Sequence, residues 1–303
     1  MVAPVRIGTC SWADETLIRH WYPKGLPAAA RLAWYAEHFS TVEVDSTYYR
    51  VPDRAMVQRW ADRTPPGFTM HVKAFGVMTR HPVKVEQLPQ HLRAEMPVDA
   101  RGRVDRPSAE LRAVVFREFL DALEPLRETG KLGGLLFQFP PYFAPSPASY
   151  AYLEWAREQL GGDRMLVEFR QRDWFAEDER ETMLRFLEDR SMAYVTVDAP
   201  RLDGANVPLT LVAATAPLAY LRLHGRNAAT WNARGGGAAM RFDYLYAEDE
   251  LREWVSPLRE LSGEASELYV FFNNNNQTHG VAQAPAGAQI LRQLLTNEGV
   301  PVA

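Results

Sequence analysis

The chain reads as an α/β protein, a single (β/α)8 TIM-type barrel spanning residues 1–303. Three observations predict it. Eight short apolar runs recur along the sequence: 5–10, 41–45, 68–73, 132–139, 166–170, 193–198, 219–225 and 268–274. Helical spacing fills most of the gaps between them, which is the signature of βαβ units and a parallel sheet. Each run also ends in polar residues two apart, which alternation would send to one side of the sheet. A barrel assembles its active site at the C-terminal ends of its strands in this way. Eight units favour closure over an open doubly wound sheet, and no GxGxxG follows the first run.

The first helical segment, 27–39, begins with a proline suited to a first turn. Asp53 is the expected N-cap of 53–63 and Ser108 of 108–128, where Leu111, Val115, Phe119 and Leu123 repeat at helical spacing. Further helices are expected over 147–160, 178–190, 247–261 and 285–296. Two stretches break the rhythm. The proline-containing segment between Asp198 and Tyr220 is a poor helix, so the sixth helix should be degraded or missing. A long loop, 74–107, follows the third strand and carries Pro82, Pro89, Pro97 and Pro107. It would leave the barrel on the catalytic face, as a lid or as a surface excursion.

Bulk properties narrow the function. A net charge of −4 and a pI near 6.0 argue against a basic nucleic-acid-binding surface by composition. Cys10 is the only cysteine, so no intrachain disulfide forms, and a reducing cytoplasm is expected. No signal-like segment opens the chain, and no run nears the ~18 apolar residues of a membrane span.

The polar strand ends form the candidate site. Glu43, Asp45, Glu168 and Asp198 supply carboxylates; Lys73, Arg170 and Arg222 supply cations; His71, His224, Gln138, Thr196 and Asn273 join them. Charges in a barrel mouth must pair with each other or meet a ligand. The plainer alternative is a self-satisfied ion-pair network that plugs the barrel. Three cations would crowd a divalent metal but suit a phosphate or carboxylate, which arginine binds bidentately. No HxH or HExxH spacing occurs. Aromatics follow several strands: Trp12, Tyr48, Tyr49, Tyr142, Phe143, Trp174 and Trp231. With arginines they would offer stacking surfaces, although packing on the rim is the default for each. Arg226, Arg234 and Gly235–Gly237 fall in the loop after strand seven, where barrels often bind phosphate. In the run Asn273–Asn276, Asn273 and Asn274 are the expected ligand contacts. Cys10 reads as a small buried side chain, and His20 and His38 as structural or surface residues.

At these residues a family resemblance emerges. GTCSW (8–12), FSTVEVDSTYYR (39–50), FTMHVKA (68–74), LGGLLFQFPPYF (132–143), VEFRQRDW (167–174), VDAP (197–200), YLRLHGR (220–226) and YVFFNN (269–274) resemble, in order, the domain-of-unknown-function-72, or YecE-like, family. The resemblance implies a TIM-type barrel and no settled activity. It also implies a likeness to the endonuclease IV and xylose isomerase barrels, which suggests a metal-dependent phosphodiesterase by analogy of fold. After the last strand, where an asparagine-alanine pair tends to follow in the family, this chain reads HGVAQAPAGAQ (279–289).

The leading expectation is an enzyme performing acid–base chemistry on a small phosphate- or carboxylate-bearing substrate, without an obligatory cofactor. Glu168, held by Arg170, would be general acid or base, and Glu43 or Asp45 its partner. Lys73, Arg222 and His224 would bind the anion, with Asp198 orienting His224 or Arg222. Gln138, Arg226, Asn273, Asn274, Trp12, Tyr48 and Trp174 would complete the substrate contacts. The first alternative is a divalent-metal phosphodiesterase acting on nucleic acid, with Glu43, Glu168, Asp198 and His224 as ligands. The second is a non-catalytic binder of nucleic acid or a sugar phosphate. No membrane partner is expected, and the sequence does not specify an oligomeric state.

Overall fold

The computed structural model describes residues 2–200, 202, 210–231 and 240–303. Eight parallel strands form one sheet: β1 Val5–Thr9, β2 Thr41–Val44, β3 Thr69–Lys73, β4 Leu132–Gln138, β5 Met165–Glu168, β6 Ala193–Asp198, β7 Leu218–Leu223 and β8 Glu267–Phe272. Their hydrogen-bonded order, β1-β8-β7-β6-β5-β4-β3-β2, is a nearly closed barrel with β1 and β2 at its two ends. Each strand lies within about two residues of the run that predicted it.

The seam between β1 and β2 is stitched by a side chain. The Tyr35 hydroxyl accepts from the Thr9 N–H (2.9 Å) and donates to the Thr41 carbonyl (3.1 Å), which satisfies groups that a ladder would otherwise pair. Gly8 allows the approach: a Cβ there would sit 2.4 Å from the Thr41 carbonyl oxygen.

The helices begin where their caps predict. Asp53 accepts from the Met56 N–H (3.0 Å) at the start of Arg54–Asp62, and Ser108 accepts from the Leu111 N–H (3.2 Å) at the start of Ala109–Ala122. The expected 108–128 helix breaks at Leu123, because Pro125 lacks an N–H and starts the separate turn Glu124–Glu128. Between β6 and β7 none of the described residues is helical, and residues 201 and 203–209, on which the expectation of a degraded sixth helix also falls, lie outside the described residues.

Two apolar layers result. Val5, Val42, Val72, Leu135, Val167, Leu221 and Val270 face the helices, while Leu136, Leu166, Val195, Val197, Tyr220, Tyr269 and Phe271 fill the lumen. His71 lies in that inner layer against Tyr269 and Tyr220. The loop 74–107 is a packed wall. Residues 74–79, with Val83, Leu88, Leu92 and Met96, are buried, the Gly76 N–H donates to the Tyr48 carbonyl (3.0 Å), and Lys84 bridges Arg103. Its apolar residues therefore join the main core beside the mouth. Among the described residues no helix is long and apolar enough to cross a membrane.

The seam generates a test. Gly8→Ala should destabilise by about 1–3 kcal/mol, because backbone rather than a flexible side chain must yield. Tyr35→Phe should lose a comparable amount by leaving the Thr9 N–H buried and unpaired. Urea unfolding of both variants checks this; a neutral Gly8→Ala would mean that β1 and β2 do not meet closely.

Candidate functional site

Strand parity brings most of the predicted charges together. Glu43 and Asp45 from β2, Lys73 from β3, Gln138 from β4, Glu168 and Arg170 from β5, Arg222 and His224 from β7 and Asn273 from β8 all share the lumen side. Arg222 is the hub and is completely buried. Its Nε and Nη2 donate to the two oxygens of Glu43 at 2.9 and 2.6 Å, and its Nη1 donates to Glu168 Oε2 at 2.6 Å. Tyr220 adds a 2.8 Å hydroxyl bond to Glu43. The other Glu168 oxygen accepts from Gln138 (2.7 Å) and Arg170 (3.2 Å), with His224 Nε2 at 3.3 Å. Asn273 Nδ2 lies 2.8 Å from His224 Nδ1, an arrangement that fits a proton on Nε2 facing Glu168.

These pairings decide the protonation states. Burial, the largest single influence, would raise both glutamates, but Arg222 and the other charges and hydrogen bonds around them together outweigh it. Glu168, with His224 and Arg170 adding to the effect, falls well below the usual carboxylate range. Glu43 is also lowered, helped by Asp45 and Lys73. Burial takes His224 down to about 3, against the opposing pull of Glu168, so its imidazole is neutral at pH 7. Burial, and then the field of Glu43, keeps the Cys10 thiol protonated, which removes it as a nucleophile.

Asp45 differs. Its Oδ1 has no hydrogen-bond partner, and Lys73 Nζ and Arg222 Nη2 each stand 3.8 Å away. Burial pushes Asp45 up, Lys73 opposes this and Glu43 reinforces it, and the result is about 7. Lys73, 13% exposed, lies over the Tyr48 ring at 5.0 Å. Both charges border a cavity of about 280 Å³, also lined by Cys10, Ser11, Asp14, Tyr49, Gln138, Phe242, Asn273 and Asn275.

Several expectations need correction. Asp198 and Thr196 do not face the mouth, because Val195 and Val197 take the inner parity of β6. Asp198 instead accepts from Arg226 Nε (3.0 and 3.1 Å) and from the Tyr246 hydroxyl (2.6 Å), so it orients neither His224 nor Arg222. Arg226 is held there too, with Glu253 at 3.0 Å, away from the cavity lining. Arg222 and His224 are fully buried and do not line the cavity: Arg222 bonds the two carboxylates with Nη2 also 3.7 Å from Cys10 Sγ, and His224 lies between Glu168 and Asn273. Trp174 is buried, stacks on Phe169 (4.1 Å) and donates to the Phe143 carbonyl (2.6 Å), so it is core. Trp12 packs edge-on against Trp60 (5.5 Å). Asn274 is buried and donates to the Tyr244 carbonyl (2.8 Å), while Asn275 lines the cavity in its place. Arg234 and Gly235–Gly237 lie outside the described residues. Sequence reasoning passed over Ser11, Asp14 and Phe242, which sit in loops without periodicity, and touched Tyr49 and Asn275 only through the aromatics after strand two and the asparagine run.

The metal-ligand set Glu43, Glu168, Asp198 and His224 is not assembled. Among the described residues the group of ligand atoms close enough to share an ion is Cys10, Glu43 and Asp45, within 4.8 Å of one another. Lys73 and Arg222 beside Asp45 compete electrostatically with a divalent cation there.

The hub makes a prediction. Arg222→Met should destabilise the fold by about 3–5 kcal/mol, because it strands two buried carboxylates. Chemical denaturation at pH 7 reads this out, and part of the loss should return at low pH as Glu43 and Glu168 protonate. Near-wild-type stability would show that the carboxylates do not depend on Arg222.

The family model described as protein of unknown function DUF72 matches residues 6–302. A Bacillus subtilis (strain 168) relative, UPF0759 protein YunF, is 31% identical over 293 residues, covering 96% of this chain and 94% of the relative. A DUF72 family crystal structure from Thermotoga maritima MSB8 superposes with a TM-score of 0.75 at 30% identity, covering 97% of this chain and 99% of that one. One from Enterococcus faecalis V583 gives 0.79 at 26% identity, covering 96% and 95%. With the motifs in order and the barrel in common, the chain belongs to the DUF72 family of TIM-barrel proteins.

Proposed function

We propose that the mouth is an acid–base site for a small substrate bearing a phosphate or carboxylate, with Asp45 as the proton-transferring group and Lys73 as the cation that holds the anion. The observation that carries this reading is Asp45 itself: an unpartnered oxygen, a pKa raised to about 7 and a place on the cavity wall 3.8 Å from Lys73. A general acid or base works best when its pKa lies near the operating pH. Glu168 and Glu43 are ionised and fully bonded, so in this reading they position Arg222, Gln138 and His224 rather than move protons. The cavity, about 280 Å³, suits a compact metabolite. The amides of Gln138, Asn273 and Asn275 supply neutral donors and acceptors around the substrate, and Lys73 would stabilise negative charge as it develops.

Malonate is a suitable probe, because unlike inorganic phosphate it does not itself titrate between pH 7 and 8. An anion beside Lys73 weakens the field that lowers Asp45. Binding between pH 7 and 8 should therefore take up a fraction of a proton, visible by calorimetry in buffers of different ionisation enthalpy. The uptake should vanish in Asp45→Asn, and affinity should fall about tenfold or more in Lys73→Met, the worth of a charge-assisted hydrogen bond. Binding without proton uptake would remove Asp45 from the role.

The same group sets a stability profile. The folded protein holds the Asp45 proton more tightly than the unfolded chain, whose aspartate titrates near 4. The resulting stabilisation is complete below that pH and is lost as pH rises through about 7. Asp45→Asn should thus be more stable than the parent at pH 8, by on the order of 1–3 kcal/mol, with little difference at pH 4. Thermal unfolding across this range checks it; a parallel pair of curves would contradict the raised pKa.

A further inference from the structure

Beside the mouth, the loop after β3 and the loop after β4 enclose a second, larger depression of about 540 Å³. Its walls carry Arg80, Arg106 and Arg112 beside His81, which burial lowers to about 4 and so leaves neutral, and its one carboxylate is Asp105, 4.0 Å from Arg106. This is a local excess of positive charge on a chain whose net charge is −4. Arg80 and Arg112 lie over the same Tyr152 ring, at 5.0 and 5.3 Å. Arg112 donates to the Pro107 carbonyl (3.3 Å), and its Nε has no hydrogen-bond partner. Burial lowers the proton affinity of Arg112, Tyr152 opposes this, and the neighbouring Arg80 charge lowers it further. The Arg80 charge thus acts on Arg112, and an anion beside the two would relieve that repulsion.

The backbone supports the arrangement. Arg80 and Arg106 both adopt left-handed conformations, with φ of +62° and +46°. That region is unfavourable for residues with long side chains and marks positions fixed by their surroundings. The helix Pro147–Gln159 opens onto the same depression through Ser146, Ala148 and Ser149, with no acidic residue in its first turn. Its dipole therefore adds to the arginines instead of opposing a carboxylate.

We infer that this depression is a second anion site, built by Arg80, Arg106 and Arg112, that takes the phosphate group of a small phosphoester. Guanidinium forks match phosphate oxygens bidentately, and three of them exceed what a single carboxylate ligand would use. The site is one residue removed from the mouth: the His81 ring meets one side of Tyr48 (5.1 Å) and Lys73 meets the ring at 5.0 Å. It stands on its own residues and does not depend on the acid–base reading of Asp45.

Inorganic pyrophosphate is the probe, titrated by calorimetry at low ionic strength. Wild type should bind it, and the affinity should fall as salt rises. The double variant Arg80→Gln/Arg112→Gln should lose about tenfold or more. Arg106→Gln, whose side chain is 94% exposed and cannot endanger the fold, should lose a smaller, measurable factor. Lys73→Met should retain the binding. Absence of binding to wild type, equal binding by the double variant, or loss in Lys73→Met alone would overturn the proposal, the last by moving the anion to the mouth. Salt-sensitive binding of a short single-stranded oligonucleotide without any binding of pyrophosphate would also overturn it, in favour of an extended nucleic-acid surface.

Discussion

The Arg222 guanidinium, sealed inside the barrel between Glu43 and Glu168, constrains everything around it. Three charges are taken out of water together, and each is tolerable only because the others are present. Four close hydrogen bonds to Glu43 and Glu168, one of them from Tyr220, tie β2, β5 and β7 at one height. That fixed triad then dictates its neighbours. Glu168 has a second oxygen to satisfy, which Gln138, Arg170 and His224 share. Asn273 in turn holds the far side of His224. The result is a layer with little spare bonding capacity, resting on the aromatic floor of Tyr220, Tyr269 and Phe271.

A saturated layer does no proton chemistry at neutral pH, and this shifts attention to its edge. Asp45 is the group the layer leaves incompletely bonded. It is close enough to Glu43 to be discouraged from ionising, close enough to Lys73 to ionise near neutrality, and open to the cavity. The mouth thus divides by residue between the plug reading and the proposed site. Glu43, Arg222 and Glu168 behave as a self-satisfied ion network, while Asp45 and Lys73 face the space a ligand would occupy.

Much of this was legible in the sequence because a strand has a period of two. Apolar runs located the eight strands, and polar residues at their ends named most members of the mouth. The inference failed on β6, where Thr196 and Asp198 are polar for another reason. No helix covers the described residues after β6, and the outer side of its end is met by Tyr246 and Arg226, so a carboxylate is welcome there. Alternation also cannot say who pairs with whom. Arg222 reads as an anion ligand by alternation, yet it bonds Glu43 and Glu168, and those bonds with Gln138 and Arg170 leave Glu168 ionised and held at both oxygens. Loops carry no period at all, which is why Ser11, Asp14 and Asn275 came from the structure, and why Trp174, expected as a substrate contact, is core. The long loop after β3 looked like a lid or an excursion. Its buried apolar residues make it a wall, and its arginines face the second depression.

In the proposed site ionised, fully paired glutamates hold the geometry, and one aspartate poised near neutrality moves the proton. Carboxyl ¹³C NMR on protein labelled at Asp and Glu, with Glu43→Gln, Asp45→Asn and Glu168→Gln used for assignment, tests it directly. The account predicts that Asp45 alone among the three titrates near pH 7, while Glu43 and Glu168 stay ionised to the acid limit of the fold. A neutral-range titration of Glu168, or an ordinary one for Asp45, would contradict it.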